Sequence, residues 1–316
     1  MAYKSYAKRR PIRRSYKGKR RSAPRRSYAK KRSTFRSKKM SKKRILNITS
    51  EKKRDTMLNW TNSSAATQVG GATYVTDPAI VTGGTSSNQA ATFLWCATAR
   101  DNTVNSTNNI GTKFASSTRT SSSPYMVGLK ESIEIQCNTG MPWQWRRICF
   151  TMKGLPLVPN STVSGNIFSA AMETSNGWTR VMNQVLGNSG ADPMYTLYAV
   201  LFKGQVNSDW TDPFTAATDN NRVTIKYDKT ITLASGNEDG FIRRYDRWHP
   251  MRKTLVYDDD ETGNLNTAMN AAIRSVEGKA GMGDYYVMDM FRARQGSAAT
   301  DQLSVRPEAT LYWHEK

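Results

Sequence analysis

The strongest constraint on this chain is the uneven distribution of its charge. Residues 4–44 carry 21 Lys and Arg side chains and no acidic one, and Ile12 is almost their only aliphatic residue. Like charges repel along such a segment, and its small apolar surface does not offset the entropy lost on ordering. We therefore predict that residues 1–44 form a disordered basic arm and that residues 45–316 form the folded domain.

The predicted domain is nearly neutral. The 316-residue chain has a net charge of +22, but after residue 44 only 26 basic residues remain against 25 acidic ones. A domain of roughly 300 residues hides about 75% of its unfolded surface, enough for a substantial core. The chain has no apolar run of about 18 residues, which excludes a membrane-spanning helix. Its first residues lack the apolar segment of a secretory signal, and its three Cys fit a reducing compartment.

Aromatic residues are interspersed through the basic arm. Arg and Lys neutralise phosphates and release counterions. Tyr and Phe rings offer unpaired bases a stacking surface. A flexible arm does not hold a side chain against a base edge, so we predict sequence-independent binding to single-stranded nucleic acid. The residues predicted to bind DNA are Arg9, Arg10, Arg13, Arg14, Lys19, Arg20, Arg21, Arg25, Arg26, Lys30, Lys31, Arg32 and Arg36.

A second basic cluster ends the arm. Short Lys/Arg-rich runs are typical of nuclear localisation signals, so we predict that this cluster binds a nuclear import receptor. Pro11 and Pro24 interrupt any amphipathic helix in the arm, and we predict no membrane partner. The cluster consists of Lys38, Lys39, Lys42, Lys43 and Arg44.

Short runs of β type dominate the rest of the chain. Ile133, Ile135 and Cys137 alternate with polar residues, as in a half-buried strand. Many strands, long Ser/Thr/Asn-rich loops and few helices predict an all-β fold, a β-sandwich or jelly roll of two sheets. The predicted strands are 54–60, 91–100, 125–137, 143–153, 195–203, 223–233, 241–257, 285–292 and 305–314, and the predicted helices are 177–186 and 265–276.

Catalytic and metal-binding motifs are missing from the sequence. It contains no phosphate-binding loop of the GxxxxGK[ST] type and no GxSxG nucleophile elbow. Cys96, Cys137 and Cys149 are widely spaced, and His249 and His314 are the only histidines. Structural zinc sites usually use closely spaced ligand pairs. We therefore predict no enzymatic activity, no metal and no cofactor.

Four stretches of the sequence resemble one viral protein family. Residues 42–57, 125–154, 244–263 and 283–291 are similar to the capsid proteins of genomoviruses (gemycircularvirus-like), small circular single-stranded DNA viruses related to geminiviruses. The resemblance implies a jelly-roll subunit of about eight strands. It also implies a homo-oligomer of about 60 copies, or a twinned multiple, that closes into an icosahedral shell around the DNA genome. The virion, and the host nucleus during assembly, are the implied locations.

Two further groups of charged residues have more than one interpretation. Four arginines are either DNA contacts at the inner wall of the shell or ordinary surface residues: Arg146, Arg147, Arg243 and Arg244. The acidic run is either a solvated turn, a subunit contact or a cation site, although it lacks the ligand spacing of an EF-hand. That run comprises Asp258, Asp259, Asp260 and Glu261.

The sequence therefore predicts a self-assembling capsid protein that packages circular single-stranded DNA through its arm. The alternative is a cellular nucleic-acid-binding protein of ribosomal or chromatin type with a β-rich body. Such proteins are usually basic throughout, whereas this body has a net charge near +1.

Overall fold

The computed structural model describes residues 40–66, 73–84, 90–104, 109–153, 161–163, 166–185, 193–259 and 272–316. The two helices are α1 (Lys42–Thr49) and α2 (Pro193–Leu201). The first strands are β1 (Glu51–Met57), β2 (Asn59–Thr61), β3 (Ala79–Thr82), β4 (Ala91–Cys96), β5 (Tyr125–Cys137), β6 (Trp143–Met152), β7 (Ser161–Val163) and β8 (Asn166–Phe168). The remaining strands are β9 (Glu173–Thr174), β10 (Gly177–Trp178), β11 (Arg180–Met182), β12 (Thr224–Leu233), β13 (Phe241–Thr254), β14 (Asp284–Ala293) and β15 (Gln302–Glu315).

Two antiparallel sheets form the body. Sheet 1 has the strand order β1-β15-β5-β13, with β3 beside the other half of β15. Sheet 2 has the order β12-β6-β14-β4. The prediction of an all-β fold is confirmed, because the described chain is mostly strand in several antiparallel sheets. Neither described helix is long and apolar enough to cross a membrane.

The main core lies between the two sheets. Trp95 and Val287 of sheet 2 pack in one buried cluster with Leu129, Leu311 and Trp313 of sheet 1. Sheet 1 buries only this inner face, so its strands alternate between buried and exposed residues. The alternation predicted for residues 133–137 is confirmed, since Ile133, Ile135 and Cys137 are buried.

Helix α2 covers the other face of sheet 2, where the sequence predicted a strand at 195–203. Leu197 and Leu201 of α2 are fully buried in the same cluster as Ile148 and Phe150 of sheet 2. Residues four apart lie on one side of a helix, and a short apolar run does not reveal whether it forms a strand or a buried helix. The strand prediction is therefore wrong, and sheet 2 is buried on both faces.

The helix predicted at 177–186 is also wrong over its described part. Gly177 has φ +94°, a left-handed conformation that glycine adopts without steric cost, and it begins β10 after a tight turn. Residues Arg180–Met182 then pair in parallel with β2. Tertiary hydrogen bonds to the Arg180 side chain override the local helical pattern. Of the predicted helix 265–276, only 272–276 lies within the described residues, and it is not helical.

Helix α1 begins inside the predicted disordered arm. The Ser41 side chain accepts a hydrogen bond from the Arg44 backbone N–H at 3.3 Å, which caps the helix. The helix continues past the charge run to Thr49 and leads directly into β1. The prediction of disorder is therefore wrong for residues 42–44, because a capping Ser and the apolar residues from Ile45 onward favour a helix there.

Candidate nucleic-acid interface

The predicted DNA-binding residues between Arg9 and Arg36, together with Lys38 and Lys39, lie outside the described residues. The described part of the second basic cluster, 42–44, forms the first turn of α1. The body therefore has to be searched for surfaces that continue the chemistry of the arm.

Arg147 is buried between the sheets and does not reach a surface. Its Nη1 donates to Glu131 Oε2 at 2.6 Å, while its Nε and Nη2 donate to the two carboxylate oxygens of Asp289 at 2.7 and 2.8 Å. Arg180 donates to Glu131 and Asp289 at 3.0 Å each. Two guanidinium groups thus face two carboxylates in one charge-balanced network that joins the two sheets and β11.

Arg146 points to the opposite face of sheet 2, which is also covered. Its guanidinium donates to both carboxylate oxygens of Asp228, at 2.9 and 2.7 Å, and to the backbone carbonyls of Pro213 and Ala216. Neither Arg146 nor Arg147 is available to phosphate in the folded chain. The prediction that they contact DNA is therefore wrong, because both faces of their strand are buried against other parts of the same chain.

His249 borders the buried network without carrying charge. Its Nε2 lies 3.6 Å from Glu131 Oε2, and its ring contacts Tyr227 edge-on. Burial lowers the pKa of His249 from 6.5 to about 4, and the Glu131 carboxylate only partly opposes this. The histidine is therefore neutral at pH 7, and the two carboxylates and two guanidinium groups of the network balance.

We expect the folded protein to lose stability as the pH falls through the titration of unfolded His249. Below pH 6.5 the unfolded chain gains a proton on this residue, whereas the folded chain resists protonation until about pH 4. Linkage then predicts a loss of about 2 kcal/mol between pH 6.5 and 4.5. Urea unfolding at several pH values measures it, and His249→Gln should flatten this part of the profile. His314→Gln is the matched control, and an equally flattened profile there would contradict the assignment.

The acidic run has an intramolecular partner within the described residues. Both carboxylate oxygens of Asp259 accept from Arg119, at 2.6 and 2.9 Å, and both side chains are 1% exposed. Asp259 is therefore neither a solvated turn residue nor a subunit contact, which corrects that prediction. Asp258 is exposed, and Asp260 and Glu261 lie outside the described residues. No three His, Cys, Asp or Glu side chains cluster as metal ligands in the part of the chain that the structure describes.

The outer face of sheet 1 is solvent-exposed and divides into two halves. In the half next to α1, three successive rows of cross-strand neighbours place Lys52, Arg54 and Lys130 outward. No outward residue in these rows is acidic, and no salt bridge among the described residues uses these three side chains. This half therefore has a net positive charge.

Aromatic rings lie among these cations. Trp248 is 47% exposed, and its ring centroid lies 5.9 Å from that of Tyr312 on the neighbouring row. Tyr125 is 42% exposed and contacts His314 with ring centroids 6.2 Å apart. We call this surface the basic-aromatic face; it comprises Lys52, Arg54, Lys130, Tyr125, Tyr312 and Trp248.

A groove connects this face to α1. It has a volume of about 1030 Å³ and is lined by Arg44 of α1, by Tyr125 and His314 of sheet 1, and by Lys316 at the end of the chain. The Lys52 ammonium donates to the Asn47 carbonyl at 2.8 Å and so joins β1 to the helix. The base of the arm therefore leads directly onto the basic-aromatic face.

The other half of the outer face has mixed charge and includes one of the predicted arginines. Arg244 is exposed and lies 3.2 Å from the Asp246 carboxylate. Glu134 is the direct cross-strand neighbour of both Arg244 and Arg306. Arg243 is exposed on the edge strand and donates to the Ala234 carbonyl at 2.7 Å. Both residues reach solvent, and their contact with DNA stays a prediction.

Sequence reasoning missed the basic-aromatic face, because its residues come from four strands that are distant in the chain. The sequence offered only the basic run Lys52, Lys53, Arg54 in β1. In that run Lys53 turns inward to Glu315 at 3.2 Å, while its neighbours turn outward.

No known protein-family model matches this chain, and no curated protein matches it either.

Proposed function

We propose that this chain is the structural subunit of a small viral capsid that packages circular single-stranded DNA. The observation that carries the proposal is the separation of charge, with 21 basic and no acidic residues in an arm attached to a nearly neutral body. A body without strong net charge tolerates many copies packed side by side, while the arms supply cations for the genome. The proposed role is structural and involves no reaction.

The connectivity of the eight long strands supports a jelly roll. In chain order these strands are β1, β4, β5, β6, β12, β13, β14 and β15. The first pairs with the eighth, the second with the seventh, the third with the sixth and the fourth with the fifth. Rolling this long hairpin up then pairs the eighth with the third and the seventh with the fourth. Two interlocked Greek keys of this kind define the jelly roll, which viral capsids share with lectins and cupins.

The charge of the arms matches a small genome. In a shell of about 60 subunits, the arms would neutralise on the order of 1,300 phosphates. A single-stranded genome of one to a few kilobases would therefore be a matching cargo, since the remaining phosphates bind small cations. We further propose that the cluster from Lys38 to Arg44 brings the subunit into the nucleus through an import receptor, where shells assemble around DNA.

Electron microscopy of the full-length protein mixed with circular single-stranded DNA tests the proposal. At low salt we expect uniform closed particles that protect the DNA from nuclease, because the arms couple DNA binding to shell closure. At high salt we expect fewer particles, since screening weakens the contacts between arm and phosphate. DNA coated with monomers, without closed shells over a range of salt and pH, would instead favour a cellular nucleic-acid-binding protein.

A further inference from the structure

We infer that the basic-aromatic face of sheet 1 is a second binding surface for single-stranded DNA, separate from the arm. On this face unpaired bases stack on Trp248 and Tyr312, while Lys52, Arg54 and Lys130 contact the phosphates. The inference rests on the proposed function, because it assigns a place on the body to the DNA that the arms collect.

The Trp248 ring is held in an orientation that suits stacking. It lies across β5 at Gly128, where a Cβ atom would come within 2.6 Å of the Trp248 Cζ2 atom. The glycine therefore leaves room for the ring to lie low over the sheet and approach Tyr312 at 5.9 Å. Much of the Trp248 surface nevertheless stays exposed on the outer face. Base–aromatic stacking tolerates any base, since every base has a π-face.

The positions of the cations suit a nucleic-acid strand that crosses the rings. Lys52 and Arg54 are two residues apart on β1, which separates them by about 7 Å along the sheet. Lys130 is the direct cross-strand neighbour of Trp248. Strands in a sheet are about 4.8 Å apart, so β1 and β13 enclose a band about 14 Å wide. One band thus combines phosphate-binding cations with an aromatic platform, the combination typical of single-strand binding surfaces.

Two observations favour DNA over another copy of this chain as the occupant. The outward charges of this half all have one sign, so an identical face would repel it, whereas a phosphate backbone complements it. The groove beside Tyr125 and His314 is also lined by Arg44 of α1. DNA held by the arm is therefore delivered to this face with little loss of chain entropy.

The test measures binding of the full-length protein to a fluorescent oligo(dT) at a salt concentration that weakens the arm contacts. Trp248→Ala should lower the affinity about 5- to 150-fold, the range for the loss of one stacked base. Its affinity for sodium polyphosphate, which has charge but no bases, should stay unchanged. Ile242→Ala is the matched control, because Ile242 is 70% exposed on the same strand and the same face. Trp248→Phe should retain most of the affinity, and it serves if the alanine variant does not fold.

A second pair of variants tests the charges. Lys130→Gln should weaken oligo(dT) and polyphosphate alike, whereas Arg306→Gln, on the mixed-charge half of the same face, should change neither. An equal loss of both ligands in Trp248→Ala would overturn the stacking assignment. Impaired particle formation with unchanged DNA affinity would also overturn it and identify the face as a subunit contact.

Photocrosslinking separates this inference from the proposed function. Particles are filled with single-stranded DNA that contains 5-iododeoxyuridine, and crosslinked peptides are identified by mass spectrometry. We expect adducts on peptides that contain Trp248 or Tyr312, in addition to those of the arm. DNA-filled particles with adducts on the arm alone would overturn the inference and leave the capsid proposal standing. Adducts on these peptides without closed particles would have the opposite meaning.

Discussion

A full-length variant with the thirteen predicted DNA-binding residues of the arm, Arg9 to Arg36, replaced by Ser or Gln should lose DNA packaging. Each phosphate contact with single-stranded DNA contributes about −0.7 to the slope of log K against log salt. Ten lost contacts would remove about four orders of magnitude of salt sensitivity between 50 and 200 mM. Fluorescence anisotropy with oligo(dT) over a salt series gives the slope, and nuclease protection gives the packaged DNA.

A shuffled arm is the matched control for this variant. It keeps every residue of 4–36 but changes their order, so it preserves charge and aromatic content. Because the predicted binding is independent of sequence, we expect the shuffled arm to have the wild-type slope and to package DNA. An unchanged slope in the neutralised arm would contradict a role for the arm in binding. Loss of packaging in the shuffled arm would indicate a specific motif.

Arg147→Met should destabilise the fold by about 3–5 kcal/mol, the cost of removing one partner from a buried ion pair. The variant removes the hydrogen bonds of 2.6 to 2.8 Å to Glu131 and Asp289 and leaves two carboxylates facing only Arg180. In the native fold, burial would raise the pKa of Asp289, but the guanidinium of Arg147 holds it below its usual value. Urea unfolding at pH 7 measures the difference in the free energy of unfolding.

Arg243→Met is the matched control for Arg147→Met. Arg243 is exposed, so we expect its replacement to change the free energy of unfolding by less than about 0.5 kcal/mol. Equal effects of the two substitutions would contradict the structural assignment of Arg147. Normal stability of Arg147→Met combined with weaker DNA binding would return this residue to the inner wall of the shell.

The all-β character and the position of most long strands could be predicted from the sequence, because period-two alternation follows from a sheet with one buried face. Strand β5 is the clearest case, with its buried Ile133 and Ile135. Helix α2 could not be predicted, since an apolar run buried on all sides carries no periodic signal. Arg180 lies in β11 because its partners come from β5 and β14, which no local pattern encodes.

The candidate sites divide in the same way. The sequence by itself determined the basic arm, because 21 cations without a counter-charge cannot form a core and attract a polyanion. Only the tertiary structure decided the roles of the arginines in the body. Arg147 faces two carboxylates from distant strands and is structural, whereas Lys52, Arg54 and Lys130 meet on an open face beside Trp248. Burial and cross-strand register create that difference, and both depend on which strands pair rather than on which residues are adjacent in the chain.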